Sequence, residues 1–210
     1  MSVTISRLYD SPTDAQRAVA RLEAAGVPHA DISMVANNSD SWFNSDKKVD
    51  RDRDSVDDRA EGAGKGAGIG AGVGGTAGLL AGLGLLAIPG LGPVVAAGWL
   101  AATAVGAAAG AATGGIVGAL TEAGVSEDEA HSYAEGVRRG GTLVSARVAD
   151  SDRARLDGLL NESAVNLSDR SAAWQKSGWK TFDPSRKPYD AEEVRKERQL
   201  YAGGLRQVVT

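Results

Sequence analysis

The amino-acid sequence predicts an α+β fold: a ferredoxin-like sandwich interrupted by a long helical hairpin rich in glycine and alanine, with a basic aromatic C-terminal tail. Three observations support this prediction. Strand–helix–strand patterns stand at 1–36 and again at 122–169, and together they supply the elements of a ferredoxin-like domain. No charged side chain occurs at 66–121, whereas basic and aromatic residues interleave at 170–210.

The first half of the predicted domain covers 1–36. Apolar side chains alternate at 3–9, which predicts a strand. Asp10 or Ser11 then caps a helix whose apolar residues recur at helical spacing until Gly26 ends it. A second strand is predicted at 30–36.

The second half covers 122–169. Ser126 and Glu129 form the pattern of a capping box and start a helix that has no counterpart in the first half. A strand follows at 142–148, then a helix with a leucine stripe, and then a short last strand at 164–167. Because each half is too small to be stable alone, we expect the two to pair in one sheet.

A polar segment at 37–65 precedes the uncharged insert, and its mixed charges predict a mobile linker. Its carboxylates have part of the spacing of a calcium-binding loop: Asp50, Asp52, Asp54, Asp58 and Glu61. The loop's glycine position holds Ser55, and three arginines offset the charge. A solvated linker is the better interpretation.

The insert at 66–121 divides into two arms, because Pro-Gly-Leu-Gly-Pro at 89–93 is a rigid turn. Each arm is longer than the roughly 20 residues that span the hydrocarbon core of a bilayer. Leucine and valine concentrate around the turn, so the tip of such a hairpin is its most apolar part. A hairpin also returns the chain to its starting side, as the pairing of the two halves requires.

Small residues recur every four positions in both arms, and such residues stack on one face of a helix. A stripe without side chains lets two helices approach closely in a membrane, whereas in water each glycine costs a helix about 1 kcal/mol relative to alanine. The predicted packing and turn residues are Gly66, Gly70, Gly74, Gly78, Gly82, Pro89, Gly90, Gly92, Pro93, Gly98, Ala102, Gly106, Gly110, Gly114 and Gly118. A soluble Gly/Ala-rich helical pair and a disordered tract are the alternatives.

The tail at 170–210 allows two interpretations. Trp174, Lys176, Trp179 and Lys180 are residue types that contact anionic lipid headgroups at a membrane surface. Alternatively, the aromatic side chains pack on the sandwich and hold the tail against it. Binding to nucleic acid is not expected, because the chain is acidic overall and carries no recognised motif.

The residues expected of a catalytic or cofactor site are missing from the sequence. The chain has no cysteine, and its two histidines, His29 and His131, stand far apart. Gly62 to Lys65 departs from a phosphate-binding loop, since the first glycine position holds Arg59 and Gly66 stands where serine or threonine is required. We therefore predict no enzymatic activity, no cofactor, no metal and no small-molecule substrate.

Two stretches carry a resemblance to a known family: the opening Val3-Thr4-Ile5-Ser6-Arg7-Leu8-Tyr9-Asp10 and the later Ala130-His131-Ser132-Tyr133-Ala134-Glu135-Gly136-Val137-Arg138-Arg139-Gly140-Gly141-Thr142-Leu143-Val144. Both resemble the general stress protein 17M-like (heat-induced stress protein) domain of bacteria. The turn at 88–94 is similar to that of such proteins with a Gly/Ala-rich insert. The resemblance implies a bacterial stress-associated protein, and it supplies no catalytic residue.

Together these observations predict a non-enzymatic protein that binds or remodels a lipid bilayer through the hairpin and forms a homo-oligomer. The start of the chain lacks the pattern of a signal peptide, so the expected location is the cytoplasmic side of the bacterial inner membrane, or else the cytoplasm. A soluble protein that assembles through the zipper is the first alternative. A ferredoxin-like module that senses a small ligand is the second.

Overall fold

The computed structural model describes residues 1–43, 84–88, 90–108 and 115–202. They form a mixed α+β structure around one five-stranded sheet. Its strands are β1 (Ser2–Tyr9), β2 (Ile32–Asn37), β3 (Gly84–Ile88), β4 (Gly92–Ala97) and β5 (Thr142–Ala149). The α-helices in the described residues are α1 (Pro12–Ala24), α2 (Trp99–Ala108), α3 (Ile116–Glu122), α4 (Glu127–Arg138), α5 (Arg153–Asn161), α6 (Leu167–Lys176) and α7 (Ala191–Ala202).

The strands lie in the order β1–β5–β2–β4–β3, and all neighbours are antiparallel. Strand β5 therefore lies between β1 and β2, which join through α1. The predicted pairing of the two halves is confirmed, because β5 contacts both strands of the first half. Predicted strands at 3–9, 30–36 and 142–148 correspond to β1, β2 and β5.

Both faces of the sheet are buried. Helices α1 and α5 cover the first face, where their leucines pack against the side chains of Ile5, Ile32, Met34, Val144 and Ala146. Helices α3 and α4 and the chain after α6 cover the second face, where the buried cluster contains Leu8, Val35, Leu143, Trp174 and Phe182. The alternation in each strand therefore separates two apolar faces, and the protein has three layers.

The prediction of a helical hairpin is wrong for residues 84–97, which form the strand pair β3–β4. Val94 and Val95 point into the clusters on opposite faces of the sheet. A strand that is buried on both faces is a continuous apolar run, and periodicity cannot distinguish such a run from a buried helix. The second predicted arm is helical where α2 and α3 lie.

Two further predictions differ from the structure. Residues 164–167 form no strand: Val165 donates one backbone hydrogen bond to the Leu8 carbonyl (2.8 Å), and α6 begins at Leu167. The side chain of Asn166 caps that helix by accepting from the Asp169 amide. The polar residues at 37–43 are also not a solvated linker, since Asn37 is buried at the end of β2 and donates to the Arg138 carbonyl. The calcium-like carboxylates and the rest of the linker lie outside the described residues.

Candidate interaction site

The C-terminal strap, defined here as residues 177–202, crosses the turn between β3 and β4. Gly90 lies in that turn with φ +76°, where a Cβ atom would be 2.6 Å from Cα of Pro184 and 2.9 Å from Cζ of Phe182. Only glycine combines this backbone conformation with so close an approach. The Pro-Gly-Leu-Gly-Pro motif is thus the turn of a β-hairpin on which the strap lies.

Helix α7, the last part of the strap, uses one face to contact the domain. Val194, Glu197, Arg198 and Tyr201 occupy positions i, i+3, i+4 and i+7, which line one side of a helix. Val194 is fully buried. Asp190 caps the helix by accepting from the amides of the second and third residues after it. The face of α7 that meets the domain thus combines the apolar Val194 with charged and aromatic side chains.

Glu197 joins the strap to a buried ionic cluster on α4. Its Oε1 accepts from Arg139 Nη1 at 3.0 Å and from Trp174 Nε1 at 3.2 Å. Arg139 and Arg138 also donate to the buried carboxylate of Glu135, at 2.6 Å and 2.8 Å respectively. Two arginines thus share two carboxylates under the strap, and each charged group has a partner of opposite sign.

The electrostatic effect of this cluster is visible at Arg139. Burial alone would lower the pKa of its guanidinium, but the carboxylates of Glu135 and Glu197 outweigh burial and raise that pKa above its ordinary value. The guanidinium also lies 5.0 Å from the ring centroid of Trp174 and 5.5 Å from that of Tyr189. A permanent cation between two aromatic rings and two carboxylates fixes the strap's register.

Two more contacts hold the strap to separate parts of the domain. Arg198 donates to the Gly140 carbonyl at 2.9 Å and pairs with Asp40, which follows β2. The ring of Tyr201 lies under Arg170 of α6, at 3.3 Å from the ring centroid to the guanidinium carbon. Arg170 is itself held by two hydrogen bonds of 2.9 Å to Asp10. The strap therefore contacts the loop after β2, the loop before β5 and the helices α4 and α6.

Strand β3 forms one edge of the sheet, beside the turn that the strap covers. Within the described ranges, β4 is the only strand that pairs with it. Its sequence, Gly-Leu-Leu-Ala-Ile, contains no charge and no proline. Natural edge strands usually carry charged residues or proline, because an apolar edge with free backbone groups is a template for pairing with another chain.

An open groove of about 720 Å³ lies between the start of α4 and the end of α6. Acidic residues of α4 line its rim, but two of them have partners. Glu129 accepts from the Ser126 hydroxyl at 2.7 Å, and Glu127 lies 3.8 Å from His131. No nucleophile–base pair appears among the groove's described residues, so nothing in its lining indicates catalysis.

The predicted packing and turn residues that the structure describes lie in different elements. Gly90 lies in the hairpin turn, Gly92 and Pro93 begin β4, and Gly98 joins β4 to α2. Ala102 and Gly106 lie in α2, and Gly118 lies in α3. The other predicted positions lie outside the described residues, and they are Gly66, Gly70, Gly74, Gly78, Gly82, Pro89, Gly110 and Gly114.

The four tail residues predicted to contact a membrane surface separate into two groups. Trp174 and Trp179 are buried in the cluster on the second face, with their ring centroids 5.8 Å apart. Their rings therefore cannot reach lipid headgroups in this structure, which has the alternative arrangement of aromatic residues packed on the domain. Lys176 and Lys180 are exposed.

Sequence reasoning missed the carboxylates and arginines under the strap. The signal was present in α7, where an apolar residue, an opposite-charge pair and a tyrosine share one helix face. A second signal was the Glu-x-x-Arg-Arg run at the end of α4. These charged residues adjoin the apolar face of the helix, and a charged side chain that is buried needs a partner. No spacing rule connects the two segments, since they meet only in the folded chain.

Two further structural findings concern the described residues only. No helix among them combines the length and apolarity that crossing a bilayer requires. They also contain no group of three or more histidine, aspartate or glutamate side chains placed to hold a metal ion.

Comparisons of the chain with models of protein families, with curated proteins and with solved structures found no match. The resemblance to the 17M-like stress domain stays a prediction that rests on the two stretches that carry it.

Proposed function

We propose that this chain is a non-enzymatic assembly protein that binds further copies of itself by edge-to-edge pairing at β3. The observation that carries the proposal is an uncharged, apolar edge strand that is paired on one side only within the described part of the sheet. Two copies related by a two-fold axis would present the same strand to each other, which is the simplest symmetric interface.

The surroundings of β3 support assembly in water. The apolar residues near the predicted hairpin tip lie in the core, because Ile88, Leu91 and Val94 are buried on the second face. They need no lipid to remove them from water. The absence of charge on β3 also means that two copies meet without repulsion, whereas like charges directly opposite each other destabilise a strand pair.

The test is the molecular mass of the full chain across a concentration series without detergent, measured by sedimentation velocity. We expect complexes that dissociate on dilution. Ala87→Lys, which places a charge in β3, should weaken assembly at least about tenfold, as charges on edge strands do. Ala172→Lys on the exposed part of α6 is the matched control and should assemble normally. A chain that stays monomeric at all concentrations would sink the proposal.

Membrane attachment is the second candidate, and the uncharged run at 66–121 with its four-residue glycine spacing favours it. Its site would be the cytoplasmic side of a bacterial inner membrane, and a role in the stress response would follow from the resemblance to the 17M-like family. Flotation with vesicles of neutral and anionic lipids tests it. Recovery of the protein only in the lipid-free fraction argues against attachment.

We also infer that the sheet derives from a ferredoxin-like arrangement. In support, β1 and β2 lie on either side of β5, as in a split βαβ unit. The backbone bond from Val165 to Leu8 runs along the free side of β1, where the last strand of that fold would pair. The hairpin β3–β4 would then extend the opposite side of the sheet.

A further inference from the structure

We propose that the C-terminal strap is a latch that restrains assembly through the β3–β4 hairpin, and that the charged contacts of α7 determine how often it opens. The inference rests on the proposed assembly, because it concerns the regulation of the same hairpin. The contact of Pro184 and Phe182 with Gly90 places the strap directly on the hairpin turn.

Helix α7 is the part of the strap that can leave, because Trp179 and Phe182 earlier in the strap are buried in the cluster on the second face. Residues 177–190, which connect α6 to α7, contain no helix and no strand. Helix α7 can therefore move away without breaking a strand pair or another helix. Its fully buried apolar anchor is Val194, and its remaining described contacts with the domain are polar or aromatic. Elements held by few apolar contacts open at lower free energy than the core of a domain.

The ion pairs of α7 give the latch its specificity. Glu197, Arg198 and Tyr201 each contact a different element: α4, the loop after β2, and α6. The Arg198–Asp40 pair is partly exposed, so it stabilises the closed position moderately and can be exchanged for water. Asp40 keeps one buried carboxylate oxygen, and Arg198 one buried nitrogen, without a protein partner among the described residues. The Arg198–Asp40 contact therefore satisfies only part of the hydrogen-bonding capacity of the two groups.

Release of the strap would uncover apolar surface next to the edge strand. Phe182 belongs to the same buried cluster as Ile88 and Leu91 at the hairpin turn. Release of α7 frees Pro188 from the start of β4, where a Cβ atom on Gly92 would lie 2.9 Å from it. Opening that continues to Phe182 exposes Ile88 and Leu91 beside β3, and contiguous apolar patches of this kind favour association between proteins. The closed strap therefore keeps the chain in the less associating state.

The experiment perturbs the Arg198–Asp40 pair in the full chain. Arg198→Glu and Asp40→Arg should each make the backbone amides of 191–202 exchange hydrogen about tenfold faster. Each should also lower the concentration at which half of the chain is assembled, by about tenfold. The double variant exchanges the two charges and should restore both values toward those of the unmodified chain. Arg195→Glu, on the exposed side of α7, is the matched control and should change neither.

Each outcome separates the two proposals. Faster exchange in α7 with unchanged assembly would overturn the latch and leave the assembly proposal intact. Unchanged exchange would show that these charges do not hold α7. Adding Ala87→Lys to Arg198→Glu should abolish the extra assembly, and its persistence would mean that the released strap acts through another surface. If the unmodified chain stays monomeric at all concentrations, both proposals fall. Arg198→Gln, with near-ultraviolet circular dichroism, provides a milder test if Arg198→Glu unfolds.

Discussion

The two faces of the sheet are covered by segments that differ in where they stand in the sequence. Helices α1 and α5 cover the first face, and each directly follows the strand that it covers in sequence. The second face is covered by α2, α3, α4, α6, the hairpin turn and the strap, and the strap comes from a distant part of the chain. Each helix of the first face is therefore placed by the strand next to it in sequence, whereas the strap reaches the second face only through long-range contacts.

The largest expected loss of stability is at Gly98, which joins β4 to α2. Gly98 has φ +84°, and a Cβ atom there would lie against the Ile32 carbonyl oxygen and 2.6 Å from the Ser33 hydroxyl. Gly98→Ala should lower the free energy of unfolding by about 5 kcal/mol, because the backbone of β2 would have to move.

Gly178→Ala is the control for this prediction. Gly178 has φ +92° but no atom within 4 Å of a Cβ position, so only the backbone cost of about 1 kcal/mol applies. Urea denaturation measures both variants. Equal losses would mean that close approach at Gly98 contributes nothing.

The next largest effect compares the two cores directly. Trp174→Ala on the second face should cost about 4 kcal/mol, and Leu22→Ala on the first about 3 kcal/mol, because each removes a fully buried side chain. Since the sheet separates the two sites, the double variant should lose the sum within about 0.5 kcal/mol. A strong departure from additivity in urea denaturation would show that the faces are one cooperative core.

A third prediction concerns alkaline pH. Burial raises the pKa of Tyr133, on the second face, to about 12, against about 10 in an unfolded chain. The folded state keeps a proton that the unfolded state loses, so this contribution to stability is complete below pH 10 and disappears as the pH rises through 12. The loss is about 3 kcal/mol.

Tyr133→Phe should flatten that part of the stability profile. It also removes the hydrogen bond of 2.6 Å to the Ser6 carbonyl, so the variant starts from a lower stability at neutral pH. Burial likewise raises the pKa of Tyr9 on the first face, and Tyr9→Phe should act in the same direction. An unchanged slope in chemical denaturation between pH 10 and 12 for Tyr133→Phe would contradict the assignment.

The smallest expected loss of stability comes from the N-terminal caps of two helices, α1 on the first face and α4 on the second. Ser11 caps α1 by accepting from the Thr13 amide at 3.1 Å, so Ser11→Ala should cost about 1 kcal/mol. Ser126 precedes α4, but its hydroxyl bonds to the exposed Glu129 carboxylate and no backbone amide. Ser126→Ala should cost about 0.3 kcal/mol. A larger loss in thermal denaturation for Ser126→Ala would mean that the capping box forms in solution as the sequence predicts.

The difference between the faces also explains how far the sequence could predict the fold. Alternation and helix caps correctly indicated β1, β2, β5 and the helices beside them, because each element carries a local sequence pattern, although β5 pairs with strands far away in the sequence. The hairpin was misassigned because Val94 and Val95 are both buried, which removes the alternation that marks a strand. Glycine spacing then suggested a helix.

The candidate site was less predictable than the fold. Gly90 lies in a turn as the sequence indicates, whereas Gly92 begins β4. Their contacts with the strap depend on residues 177–202 and could not be predicted. Trp174 and Lys176 lie two positions apart, yet one is buried and the other exposed. Composition alone cannot separate an aromatic residue that anchors a tail to its own domain from one that anchors it to lipid.

The central claim, pairing between copies at β3, is tested most directly by cross-linking. The chain contains no cysteine, so Ala87→Cys introduces a single thiol in β3 and Ala172→Cys a control thiol on exposed α6. With a short bifunctional thiol reagent, at a concentration where the chain assembles, Ala87→Cys should give covalent dimers and Ala172→Cys should stay monomeric. Equal yields from the two variants, or dimers from Ala172→Cys alone, would contradict pairing at β3.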